Sequence, residues 1–428
     1  MVVTIAASLL WGVAATWTAV NRISAANDMV ATTGPLSFYA QQIYRSLSDA
    51  DATEAAAFLA VAGPPAAGAR FDADIQRAGA YLQAVTAADS TPATRPGLTT
   101  LHTELPEYLI LIGQAQADSR VGLPVGASYL QEASYLMRSR LLPAADDLYR
   151  QENTRLMGSY GKATGLPVIA VIAAVICAIA LLWAQRWLAS RTQRRLNRGL
   201  AAASLVGVLS LAWLLGSFLA ARSSLIAASD HGTAAAKSLI QAEIAVLRAR
   251  ADESLTLIDR KGDDVSEADF RQASRQLGPG AGTLLSAART AGIGSPGYGQ
   301  ATAAGNAAMT WYSVHRAVRD LDNRGDYPDA VYLAIGSGAS ASPAVIQQEE
   351  TALAIPSGPG DPVTSAAAFA DVDADLAAGI SADRASFTAS ASSGDGALGG
   401  LVAGMVIAAL LMTAGCARGL GRRIAEYR

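Results

Sequence analysis

Four stretches of about twenty residues, 2–20, 165–183, 200–221 and 397–417, contain no charged side chain. A helix needs roughly 20 apolar residues to cross the hydrocarbon core of a bilayer. Lipid offers no hydrogen bonds to the backbone, so such segments are restricted to helices that satisfy themselves. The sequence therefore reads as an all-α membrane protein with four transmembrane helices at 2–20, 165–185, 200–221 and 397–417. Charged residues make up only 16% of the chain, in keeping with that class. The first span lacks the basic start of a secretory signal and exceeds its usual apolar length, so it reads as an anchor.

Orientation follows from the basic residues in short connections. The loop at 186–199 holds Arg186, Arg191, Arg194, Arg195 and Arg198 with no acid. The tail at 418–428 holds Arg418, Arg422, Arg423 and Arg428 against Glu426. Both are expected in the cytoplasm, together with both termini. The long segments 21–164 and 222–396 are then extracytoplasmic. Formal net charge is -3, which makes no case for nucleic acid as a partner.

Helical periodicity runs through both long segments. Leu130, Ala133, Met137, Leu141, Ala144 and Leu148 recur every three or four residues, and so do Ile240, Ile244, Leu247, Ala251, Leu255 and Ile258. Each set forms one buried helix stripe. Breaks at 63–65, 91–97 and 122–126 divide the first segment into four helices. Breaks at 261–264, 278–282, 292–299, 323–326 and 356–362 divide the second more finely. Val331 to Ile335 is the best strand candidate, but reads as helix. A last helix from about Val363 is expected to run into span four. The organisation is span, four-helix bundle, span, repeated once, with the transmembrane helices continuous with the bundles.

Neither catalysis nor transport has residues behind it. Gly292, Gly294 and Gly297 spell a dinucleotide fingerprint, but helical sequence precedes them where a strand is required. Arg324-Gly325-Asp326 reads as a turn between helices. His102, His231 and His315 are far apart, and His102 with Glu104 and Glu107 reads as a solvated face rather than a metal site. Cys177 and Cys416 lie in apolar spans, so the outer segments hold no disulfide or thiolate metal site. Charge-free spans lack the midplane groups of ion-coupled transporters. The chain is expected to be no enzyme and to need no cofactor or metal. Gly400 and Gly404 form a GxxxG surface for helix packing, within the chain or in a homodimer.

Ligand or partner contacts are best sought among polar residues gathered on the outer helices. These are Tyr39, Gln42, Arg45, Tyr135, Arg138, Arg140 and Tyr149 in the first segment. In the second they are Arg248, Tyr312, His315, Arg316 and Arg319. Arginine forks suit a carboxylate ligand or an acidic protein patch.

Three stretches carry a family resemblance: SYLMRSRLLPAADDLYRQE at 134–152, RTQRRLNRGL at 191–200 and HRAVRDLDNRGDYPDAVYLAIG at 315–336. With the four-span plan, they resemble the actinobacterial GlnX-like membrane signalling proteins. The likeness to the four-helix-bundle sensor domains of chemoreceptors and histidine kinases is looser. The resemblance implies a relay between an extracytoplasmic solute-binding lipoprotein for amino acids and a cytosolic Ser/Thr protein kinase. The short loop and tail fit a sensor whose output belongs to a partner. A structural or scaffolding envelope protein without a ligand is the alternative.

Overall fold

The computed structural model describes residues 2–60, 65–88, 91–192, 197–228, 234–258, 265–278, 282–336, 342–353, 363–397 and 400–425. His231, Arg194, Arg195, Glu426, Arg428 and the predicted breaks at 63–64, 261–264, 279–281 and 356–362 lie outside them. Among the described residues every regular element is helical. The chain divides into two compact units.

The first unit comprises residues 1–34, 155–228 and 388–428. It holds four helices long and apolar enough to cross a membrane. They are α1 (Val2–Asp28), α7 (Val168–Thr192), α8 (Arg198–Ala228) and α16 (Leu401–Ala425). Small residues let their backbones approach closely. A Cβ added at Gly199 would lie 2.5 Å from the Gly419 Cα and 2.7 Å from the Gly415 carbonyl oxygen. Added at Gly12 it would lie 2.3 Å from Ala409 Cβ. Gly404 faces Trp213 of α8, whereas Gly400 has φ of +75° and forms the turn before α16. Polar side chains in this unit pair with each other. Trp11 Nε1 donates to Ser210 Oγ at 3.2 Å and Gln185 Nε2 to Ser204 Oγ at 2.9 Å.

The expected continuity of all four spans with the outer helices needs correction. Between α6 (Leu142–Thr164) and α7 the helix stops at residues 165–167. Pro167 has no N–H to continue the ladder. The buried Arg22 donates to the Ala163 and Gly165 carbonyl oxygens there, supplying partners that a helix end lacks. The last helix, α15 (Ser365–Ala397), is separated from α16 by the left-handed turn at Gly400. The predicted loop at 186–199 is largely helix, because α7 continues to Thr192 and α8 starts at Arg198.

Span one does continue. A single helical run extends from Val2 to Leu59, through α1, a π-helical turn at Met29–Thr33 and α2 (Gly34–Leu59). A second π turn, Met137–Leu141, joins α5 (Val125–Leu136) to α6. Each π turn ends two residues before a proline, Pro35 or Pro143. A proline inside a helix removes one N–H and pushes away the carbonyl four residues earlier. Widening the preceding turn to i→i+5 bonding accommodates both effects.

The second unit comprises residues 35–154 and 229–387, so both long segments contribute to it. From the first segment come α2, α3 (Pro65–Ala88), α4 (Arg95–Arg120), α5 and most of α6. From the second come α9 (Ala234–Ile258), α10 (Val265–Leu277), α11 (Leu284–Ala291), α12 (Tyr298–Arg324), α13 (Tyr327–Ile335), α14 (Pro343–Ala352) and α15. Val331 to Ile335 is helix, as expected. The stripe from Leu130 to Leu148 is buried in one apolar core, and Ile240, Leu247, Ala251 and Leu255 are buried on α9. Ile244 and Tyr149 pack against the cores of both segments.

Candidate functional site: a buried ionic layer around α9

Helix α9 carries four buried charged residues within eleven positions: Glu243, Arg250, Asp252 and Glu253. Buried charges are costly unless paired, so each fixes specific neighbours. Three clusters result.

In the first cluster, Arg45 of α2 reaches Glu243 Oε1 at 3.1 Å and Asp373 Oδ1 of α15 at 3.3 Å. Arg70 of α3 binds Asp49 through both Nε and Nη2, at 2.8–3.1 Å. Arg77 meets the fully buried Asp74 at 3.1 Å. Burial pushes the Glu243 carboxyl up to about 7, with Arg45 opposing and Asp373 and Asp49 adding to the rise. Burial likewise pushes Asp74 up to about 7, helped by the neighbouring Asp49.

In the second cluster, Arg138 extends from the π turn to Asp252. Burial holds Asp252 up at about 7 against the attraction of Arg138, and Asp269 and Asp51 reinforce the rise. Asp51 accepts from Ser134 Oγ at 2.9 Å and from the Tyr108 hydroxyl at 3.5 Å. Burial raises its carboxyl too. Glu54, one turn on, accepts from Gln116 Nε2 at 3.0 Å.

In the third cluster, His315 sits between two carboxylates. Its Nδ1 donates to Glu253 Oε1 at 2.9 Å and its Nε2 to Glu267 Oε2 at 3.2 Å. With acceptors on both sides the ring is an imidazolium. Burial alone would lower its pKa, but the two carboxylates outweigh that and raise it. Burial alone would raise Glu253. The hydrogen bond from His315 and the charges of Arg250 and His315 instead bring it down to about 2. The ring of Phe270 stacks on His315 at 3.5 Å between centroids, which shields the pair from water. Arg319 and Arg271 also bind Glu267, at 3.4 and 2.8 Å.

The two segments repeat one motif. In the first, a carboxylate on the leading helix (Asp51) receives a serine from a later helix (Ser134) and an aromatic from α4 (Tyr108). In the second, Glu253 of α9 receives Ser365 Oγ at 2.6 and 2.7 Å, and Trp311 Nε1 of α12 donates to that Oγ at 2.8 Å. Tyr108 and Trp311 are both fully buried. Each is followed fourteen residues later by a glycine of positive φ, Gly122 or Gly325, that ends its helix region.

The polar residues chosen from sequence are distributed over these clusters and the surface. Arg45, Arg138, His315 and Arg319 belong to the clusters, where carboxylates of the chain itself hold them. Arg248 donates from Nε to the Tyr44 hydroxyl at 2.8 Å. Tyr39 stacks on Tyr81 at 5.3 Å, and Gln42 is half-buried on the same helix. Tyr149 lies between the cores, and Tyr312 meets the Phe270 ring edge-on at 6.4 Å. Tyr135 is 73% exposed. Arg140 is exposed and bonded to Glu104 at 2.8 Å, while Arg316 is exposed beside Ser313. His102 pairs with Thr86 at 3.1 Å. The glycine-rich loop is a turn from α11 to α12, in which Gly297 N–H donates to Asp383 at 2.9 Å.

Residue choice from sequence missed the acids. Asp51 and Glu54 continue the buried stripe Ala40, Ile43, Leu47 at spacings of four and three. An acid in register with an apolar stripe is the signal that marks it as buried.

Residues 25–161 match the family model of the actinobacterial sensor domain. The match supports a sensor protein of the actinobacteria. The sensor-domain segment contains the Asp51 motif and the Arg45 and Arg138 anchors. The Glu253 motif lies outside it. Comparison with curated proteins and with solved structures gave no match.

Proposed function

We propose that the chain is a non-enzymatic transmembrane relay. It passes an extracytoplasmic amino-acid signal, delivered by a solute-binding lipoprotein, to a cytosolic Ser/Thr protein kinase. The observation that carries this reading is the single helical run Val2–Leu59. It joins an apolar membrane-length helix to α2 of the sensor-domain segment without a break. A displacement of α2 is then a displacement of the span. In this reading the long segments 21–164 and 222–396 are extracytoplasmic, the basic 186–199 connection and the 418–428 tail are cytoplasmic, and the chain works as a homodimer or in an assembly with its partners.

Two experiments test the proposal. The intact protein is used to capture candidate binding proteins and kinases from membranes, and kinase-substrate phosphorylation is followed after its deletion. Capture of both classes, with altered phosphorylation, is the expected result. Unchanged phosphorylation and no capture would leave a scaffold. Cysteine pairs across α2 and α9, crosslinked with and without an amino acid plus its binding protein, report whether the helices move.

A further inference from the structure

The joint between α9 and the sensor-domain segment contains more carboxylates than arginines. In the first cluster the facing groups are Glu243 of α9, Asp49 of α2, Asp74 of α3 and Asp373 of α15. Against these four stand Arg45, Arg70 and Arg77. In the second cluster the buried Asp252 of α9 and Asp51 of α2 share a single cation, Arg138 of the π turn, while the exposed Asp269 of α10 adds negative charge from the solvent side. Glu243, Asp252, Asp51 and Asp74 are all buried. A dry interior does not tolerate surplus negative charge, so the least costly arrangement places a proton on one carboxyl of each cluster.

We propose that this joint is a proton-responsive element: protons taken up on Glu243 and Asp252 tighten α9 against the sensor-domain segment, and their loss loosens it.

The direction follows from linkage. In the closed joint burial holds both carboxyls up to about 7. In an opened, hydrated joint they return to roughly 4. The closed form therefore binds protons more strongly, and acidification favours it. Ionisation above about 7 leaves two charges that only water can fully solvate, which favours opening. Arg45 keeps Asp373 as a partner when Glu243 is protonated, so closing strands no cation on α2. An ordinary ion pair behaves in the opposite sense, since its loss weakens the contact. The proposal stands apart from the identity of any ligand or kinase.

The test uses the full-length protein in bilayer discs of zwitterionic lipid. Amide hydrogen exchange of α2 and α9 is measured between about pH 6 and pH 8 and corrected for intrinsic exchange. Protection of both helices is expected to fall about tenfold or more as pH rises through the titration. In the E243Q/D252N variant, which fixes the protonated shape, protection at the upper pH is expected to match the wild type at the lower. Protection that does not change with pH in the wild type would overturn the proposal, as would a variant less protected than the wild type at the upper pH. If the double variant does not fold, the infrared band of protonated carboxyl groups in the wild type decides. It must be present at the lower pH, vanish at the upper, and be reduced in E243Q. A constant band overturns the assignment.

Discussion

Arg45 Nε lies 3.1 Å from Glu243 Oε1, across a sequence separation of nearly two hundred residues, and so ties the sensor-domain segment to the helix that leads the second segment. Glu243 is almost inaccessible, while Arg45 keeps a quarter of its side-chain surface exposed. Removing the arginine leaves two carboxylates, Glu243 and Asp373, without their shared cation. Breaking a buried pair from one side usually costs about 3–5 kcal/mol, and the exposure of Arg45 moves its cost towards about 3. R45A is expected to lower unfolding stability by about that amount. R45K should recover little, because lysine cannot fork between two carboxylates. Denaturant unfolding of the detergent-solubilised protein measures both.

His315 sets a pH dependence of its own. Its raised pKa means that the folded chain holds the proton more tightly than the unfolded chain. Its stabilising contribution is complete below about 6.5 and is lost as pH climbs through the folded value. Glu253, held down to about 2, contributes above its ordinary range near 4.5 and loses that contribution as pH falls towards 2. H315Q should therefore destabilise the protein most below about pH 6.5 and progressively less above it. Melting temperatures of wild type and variant across that range check this. A constant difference between them would contradict it.

The repeated carboxylate–serine motif predicts matching effects in the two segments. S134A removes a donor from the buried Asp51, and S365A removes one from Glu253 along with the acceptor of Trp311 Nε1. A buried polar group left without its partner costs about 1–3 kcal/mol. S365A should be the more damaging, because it strands two groups. Trp311 fluorescence should shift in S365A and remain unchanged in S134A.

Helix packing in the membrane-crossing unit rests on small residues at particular positions. A methyl at Gly199 meets backbone atoms of Gly419 and Gly415 that have no rotamer to change. G199A is expected to cost about 1–3 kcal/mol through forced separation of α8 and α16. Gly216, on the same α8, has open space around its Cβ position, so G216A should be neutral or slightly stabilising. Thermal stability of the two variants in the same detergent separates the effects.

Much of this architecture was legible in the residues. A run of about twenty uncharged residues admits only a helix in lipid, so the four membrane-length helices follow from hydropathy alone. The stripes through Leu130–Leu148 and Ile240–Leu255 follow from periodicity. The left-handed turn at Gly325 follows from a glycine between two charged residues at a helix end. Even the two π turns have a local cause, in Pro35 and Pro143.

The partners of the charges were not legible, because nothing local relates residue 45 to residues 243 and 373, or residue 138 to residue 252. Arginines that look available for a ligand on a helical wheel are taken by acids from other helices, and only packing brings those acids within reach. The same holds for proton affinity. Glu243 and Asp252 are ordinary acids in the sequence, and burial beside like charges is what lifts them to about 7. Composition and periodicity determined that this chain forms membrane-length helices joined to amphipathic ones. The tertiary structure decided which charges share a dry interior, because desolvation depends on every neighbour in space.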